Sequence, residues 1–255
     1  MKIRIVRRRR MVKRTVLVLL LVAVTGAGCW GSGPSRDVLT EHLSEPLNGV
    51  TTATVDIDAG DGNLTIDSLT GGEQVLAAGT LQYLEKQGQP DRQYVSFNGE
   101  ADLALSARHG AEPRLRLPWA ACGGATEWHI HLNPTVASDI TAHSDGGNVR
   151  LDLSGTAVTR VSADASRGNV DVVLPDTAAK LDVTAKSGAG NVTVLVPDGV
   201  AVRVHASTRL GRLDLDPRFV QVDDTTYQSP DFDSAAHTIE ITAESGAGKV
   251  VVATQ

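Results

Sequence analysis

Three sets of residues in this 255-residue chain carry side chains capable of chemistry at a suggestive spacing. Cys122, His129 and His131 combine a thiol with two imidazoles, the donors of zinc and copper sites. The two histidines alternate onto one face of the strand-like run from Trp128 to Leu132. No clear fourth ligand accompanies them, so the set reads as a polar strand face beside a buried thiol, and no metal is assigned. Asp56, Asp58 and Asp61 before Gly62 hint at calcium. Counting from Asp56, however, puts Asp61 where a calcium loop needs its glycine, and the set reads as a solvated acidic turn. Asp152, Asp171 and Asp214 fall at comparable outward positions along a repeat, as a polysaccharide-cleaving groove would need. Outward acid on an exposed sheet face is also ordinary solvation, and no Ser-His-Asp order or nucleophile elbow is present. The chain is therefore expected to be no enzyme and to hold no cofactor.

The elements that would position these residues are strands. One short phrase recurs as Gly147-Asn148-Val149, Gly168-Asn169-Val170, Gly190-Asn191-Val192, Gly211-Arg212-Leu213 and Gly248-Lys249-Val250, with steps of 21, 22, 21 and 37 residues. An outlier, Gly62-Asn63-Leu64, lies upstream. Around each phrase the apolar residues alternate: Val161, Ala163 and Ala165 before a turn, then Val170, Val172 and Leu174 after it. Period-two patterning held over five units predicts an all-β β-solenoid of stacked repeats, about 21 residues and two strands each. Aromatics are only 4% of the chain, which suits thin layers. Gly-Asn supplies positive φ cheaply at a tight turn. Asn148, Asn169 and Asn191 are placed to stack as a ladder that Arg212 and Lys249 interrupt.

The N-terminus reads as an address. Residues 1–28 hold eight Lys or Arg and no acid, and Val16 to Val24 is wholly apolar. That run is too short to cross about 30 Å of hydrocarbon, so it is expected to be a signal peptide. Ala27-Gly28-Cys29 resembles the lipobox of bacterial lipoproteins, with Gly26 where that family usually has a large aliphatic residue. The resemblance implies a fatty-acylated Cys29, palmitate included, and a membrane anchor. Translation from Met1 or Met11 suits this segment. Removing the leader leaves 16 basic against 30 acidic residues, a net charge of −14 over 227 residues. Such a chain has little electrostatic reason to hold nucleic acid. With Cys29 acylated, Cys122 has no partner, so no disulfide framework is expected.

The expected organisation is a signal peptide at 1–28, a tether at 29–48, an N-terminal β region at 49–137 and solenoid repeats at 138–255 with an insertion at 217–236. Asn169-Val-Asp-Val-Val-Leu-Pro175, Asn191-Val-Thr-Val-Leu-Val-Pro197 and the closing run from Ile239 to Val250 carry a further resemblance. From about Val50 onward the chain resembles the bacterial toast-rack or adhesin-like domains, including LiaF-like envelope-stress proteins and head-GIN domains. That resemblance implies a β-solenoid without an assigned activity and supplies no ligand residues.

The insertion holds Phe219, Tyr227 and Phe232, aromatics with no repeat partners. They are expected either to form a binding loop or to fold back as a cap over an open strand edge. The function expected is that of a membrane-anchored, non-catalytic envelope module that binds or senses an envelope protein or glycan. The alternatives are a purely structural adhesin-like surface module and an enzyme acting on envelope polysaccharide.

Overall fold

Alternation of apolar and polar residues dictates strands with one buried face, and the burial follows it residue by residue. The computed structural model describes residues 37–71, 74–108, 126–176 and 180–255. In chain order the strands are β1 (Val38–Pro46), β2 (Thr52–Asp58), β3 (Asn63–Ser68), β4 (Val75–Leu84), β5 (Asp91–Phe97), β6 (Glu100–Ser106), β7 (Glu127–Leu132), β8 (Ala137–Ser144), β9 (Val149–Asp152) and β10 (Val158–Ala165). They continue as β11 (Val170–Val173), β12 (Lys180–Ser187), β13 (Val192–Val196), β14 (Ala201–Leu210), β15 (Leu213–Leu215), β16 (Val220–Gln221), β17 (Thr226–Gln228), β18 (Thr238–Ala247) and β19 (Val250–Thr254).

Two sheets face each other. One runs β1-β4-β7-β3-β9-β11-β13-β19-β15, the other β16-β17-β14-β18-β12-β10-β8-β2-β6-β5. Each repeat sends its first strand to the ten-stranded sheet and its second to the nine-stranded one, so the Gly-Asn turn is an arch between sheets. Successive arches stack in parallel and in register, with Val161 on Val183 and Val172 on Val194. Val161, Ala163, Val172, Val183, Val194, Ile241 and Val252 all point into the shared core. Small β-branched side chains fill it because facing sheets pack only about 10 Å apart.

Four expectations need correction. The Gly62-Asn63 phrase is no outlier, because β3 pairs with β9, and β2 with β8, as one more arch of the stack. The boundary at 137/138 therefore does not divide the fold. The last arch also leaves chain order: β18 lies between β12 and β14, and β19 between β13 and β15. Val194 thus meets Val172 and Val252, whereas Leu215 lies one strand further on. Ile239, Ile241 and Ala243 repeat the shape of Leu181, Val183 and Ala185, so the packing accepts the out-of-sequence unit.

The tether expected at 29–48 ends early, because Val38–Pro46 is an edge strand on β4. Its alternation is disguised by Glu45, a buried carboxylate beside the buried Leu43. Arg92 reaches across from β5 to meet Glu45 at 2.5 Å, which compensates the charge. β4 pairs with β7 in unbroken register through Gly79, and Gly99 closes a two-residue hairpin with Asn98 at positive φ.

Candidate functional site

The arch turns form a continuous hydrogen-bonded line. Asn63 Oδ1 accepts the backbone N–H of Asn148, Asn148 that of Asn169, Asn169 that of Asn191, and Asn191 that of Lys249, all at 2.8–2.9 Å. The expected ladder therefore exists, but as side chain to backbone. Lys249 is its last member rather than a break in it.

Of the glycines before the ladder residues, Gly168 and Gly248 take the expected positive φ, and a second reason applies to all of them. A Cβ on Gly147, Gly168, Gly190, Gly248 or Gly211 would lie 1.8–2.2 Å from the carbonyl oxygen of the neighbouring arch's glycine. The arches are stacked too closely for any side chain there. Hydroxyls complete the line: Ser187 donates to Gly168 O, Ser245 to Gly190 O and Thr208 to Gly248 O.

Beside this line, the outward face of the nine-stranded sheet carries an open depression of about 250 Å³. It is lined by Asn63, Thr65, Glu127, Asn148, Arg150 and Asp171, among others. Asn63 donates Nδ2 to Glu127, while Arg150, level with Asp171, makes no ion pair among the described residues. On the ten-stranded sheet Arg160 pairs with Asp139, Lys186 with Glu244 and Arg203 with Glu240, and on the nine-stranded side Lys249 pairs with Asp214. An unpaired guanidinium between amide donors and two carboxylates can recognise a polar, extended ligand. Sequence reading missed Arg150. The available signal was its place two residues after a ladder asparagine, where the next arches carry Asp171 and Thr193.

The residues singled out for chemistry are not brought together. His129 pairs with Glu127 at 3.3 Å and His131 with Asp67, both on the outward face. Cys122 and Cys29 lie outside the described residues, among which no group of three His, Cys, Asp or Glu is placed to hold a metal. Asp58 accepts the Gly60 N–H, and Asp61 pairs with Arg167. Asp171 and Asp214 share one level, in register through Thr193 and Val251, whereas Asp152 lies level with Val173, two residues further along. Asp171 and Asp214 are three strands apart, about 14 Å, beyond the carboxylate spacing of a glycoside hydrolase.

The insertion takes the geometry of a cap. β17 pairs antiparallel with β14, placing Tyr227 opposite Val204. Phe219 and Phe232 are each only 8% exposed, and the Arg203 guanidinium sits 4.1 Å from the Phe232 ring centre. Phe219 and Phe232, expected either in a binding loop or in a cap, are turned into the fold, and Tyr227 is half-buried.

Residues 34–195 match the family described as the N-terminal domain of toast_rack, DUF2154. Residues 171–252 match the C-terminal domain of the cell wall-active antibiotics response protein LiaF. No curated protein matches the sequence. A crystal structure of a protein from Clostridium sporogenes described as a cell adhesion protein superposes with a TM-score of 0.75 at 21% identity. The match covers 86% of this chain and all of that one, and it shows the shared fold. A Bacteroides fragilis protein described as an adhesin covers 86% of this chain and 98% of its own at 12% identity, with a TM-score of 0.28. Stacked arches and a family match over more than half of its length make this chain a member of the toast-rack family.

Proposed function

We propose that the protein is a lipid-anchored, non-catalytic module of the bacterial cell envelope that recognises an extended glycan or protein on the outward face of its nine-stranded sheet. The observation that carries this reading is Arg150. It is exposed, makes no ion pair among the described residues, and is set among the amides of Asn63 and Asn148 and the carboxylates of Glu127 and Asp171. Strands about 4.8 Å apart in fixed register give that face a rigid, periodic array of donors and acceptors. The LiaF-like match at 171–252 supports an envelope setting, and Cys29 supports the anchor.

Two measurements test it. Wild-type protein is expected to sediment with purified cell-wall sacculi. Arg150→Glu should reduce the bound fraction at least several-fold without moving the melting temperature, and equal retention would overturn the site. Cys29→Ala is expected to abolish fatty-acyl labelling and release the protein from the membrane. An unmodified, soluble wild-type N-terminus by mass spectrometry would overturn the anchor.

A further inference from the structure

The last arch turn departs from its neighbours in a way the fold does not require. Two adjoining turns read Ser187-Gly-Ala-Gly190 and Ser245-Gly-Ala-Gly248, while the terminal one reads Thr208-Arg209-Leu210-Gly211 and continues to Arg212. Thr208 and Leu210 lie level with Ser245 and Ala247. The structural positions are kept. Thr208 Oγ1 donates to Gly248 O at 3.0 Å, and a Cβ on Gly211 would fall 1.8 Å from that same oxygen. Between them the two residues change from Gly-Ala to Arg-Leu, although a Cβ on Gly188 or Gly246 would lie 2.5 or 2.3 Å from a neighbouring carbonyl oxygen, and Arg212 stands where upstream arches carry asparagine.

The result is chemically distinct. Leu210 is 76% exposed, the highest value among the exposed large hydrophobics of the described residues. Arg209 and Arg212 are exposed on either side of it, and neither makes an ion pair among the described residues. The acids closest in register are already paired, Asp214 with Lys249 and Glu244 with Lys186. β17 covers β14 only over Arg203–His205, so the turn protrudes beyond the cap. Residues 29–255 carry a net charge of −14, and against it two arginines with no ion pair among the described residues, flanking a fully offered leucine, form a local exception. Charges more than about 10 Å away are screened at physiological salt, so the tip presents its own sign to a surface it touches.

We propose that Thr208–Arg212 is a membrane-docking tip, which places Leu210 among the headgroups of an anionic phospholipid bilayer while Arg209 and Arg212 meet the phosphates. A bilayer fits both halves of the motif, since basic residues are drawn to anionic headgroups and the apolar side chain between them leaves water. The register supplies a second argument. Val38 pairs with Leu84, Leu81 with Trp128, and Glu127 with Asn63, which puts the start of β1 on the same edge as the arch turns. Val38 and Leu39 are exposed there, at the opposite end of the sheet from β15. An anchor entering at β1 and a tip beside β15 would hold the arch edge along the membrane and stand both sheet faces away from it. Only this orientation rests on the lipid-anchor reading; the tip chemistry stands without it.

The test uses the full chain with Cys29→Ser, Cys122→Ser and Leu210→Cys, labelled at 210 with an environment-sensitive fluorophore. The protein is presented to phosphatidylglycerol or phosphatidylcholine vesicles. A blue-shifted emission, quenched by spin-labelled lipid, is expected on phosphatidylglycerol only. It should be lost in Arg209→Glu/Arg212→Glu and in high salt. A label at Phe97→Cys, 75% exposed on β5 at the other end, should stay in water. No shift at 210 at saturating phosphatidylglycerol, or an equal shift on both lipids, overturns the proposal. Binding of soluble polyphosphate without a vesicle shift overturns it too, and assigns the arginines to a soluble polyanion. The acyl mass at Cys29 of the wild-type protein reports the anchor independently, so loss of one reading is separable from loss of the other.

Discussion

Asn191 holds Lys249 from 58 residues away in sequence: its Oδ1 accepts the Lys249 backbone N–H at 2.9 Å. That bond ties the last arch into a stack it enters out of order. The same bond recurs at each earlier step, so one amide per arch both ends its own turn and sets the height of the next.

Asn191→Ala should therefore cost about 0.5–1.5 kcal/mol, the net worth of a typical hydrogen bond. Asn191→Asp keeps an acceptor oxygen and should stay near wild type. Urea melts of the two variants check this, and equal losses would show that the ladder bond contributes nothing.

Much of this was legible in sequence, for a definite reason. Period-two burial is a local property, so Val161, Val172 and Val194 declared their faces without any structure. Which strand lies beside which is not local. Ile239-Glu-Ile-Thr-Ala243 fits the groove between β12 and β14 as well as any neighbour in sequence would, and nothing in the spacing says that it wins. The glycines were visible but only half read. Their second service is to let backbones approach, a property of two arches rather than of one turn. Glu45 hid β1 because a buried acid is intelligible only beside Arg92, which a different strand supplies. Arg150 went unnoticed because an unpaired charge is defined by what its neighbours do.

Register is open to a direct test. Val194 faces the core between Val172 and Val252, and Thr193 faces outward. Val194→Asp buries a charge without a partner and should cost several kcal/mol. Thr193→Asp should change stability by roughly 0.5 kcal/mol or less. Equal shifts in the denaturation midpoint would mean that the strand is displaced by one residue.

Asp216 clamps the end of β19 to the chain after β15. The Thr254 hydroxyl donates to Oδ2 at 2.5 Å and the Arg218 N–H to Oδ1 at 2.9 Å. The Thr254 hydroxyl first, then the Arg218 N–H, holds this carboxyl below its ordinary value of 3.8. A depressed carboxyl favours the fold while ionised. Its contribution is full above 3.8 and disappears as pH falls through the lower folded-state value. Asp216→Asn should thus be less stable than wild type by about 1 kcal/mol at pH 7. The gap should close in acid below 3.8, as chemical denaturation across pH would reveal; a pH-independent gap would contradict it.

The insertion provides the sharpest division between cap and contact surface. β17 satisfies the outer edge of β14, and Phe219 and Phe232 are withdrawn from water. Val220 and Val222 on the same insertion are 57% and 58% exposed. Burying an aromatic ring and removing it again costs about 3–5 kcal/mol, so Phe219→Ala or Phe232→Ala should be strongly destabilising. Replacing residues 219–234 by a short glycine turn would also bare part of the β14 edge, a template for pairing with other chains. Concentration-dependent aggregation is therefore expected from the replacement, measured by light scattering. Val220→Asp and Val222→Asp should remain folded and monodisperse. If the replacement instead melts as cooperatively as wild type and only loses its hold on the cell wall, the aromatics serve a partner and the cap assignment fails.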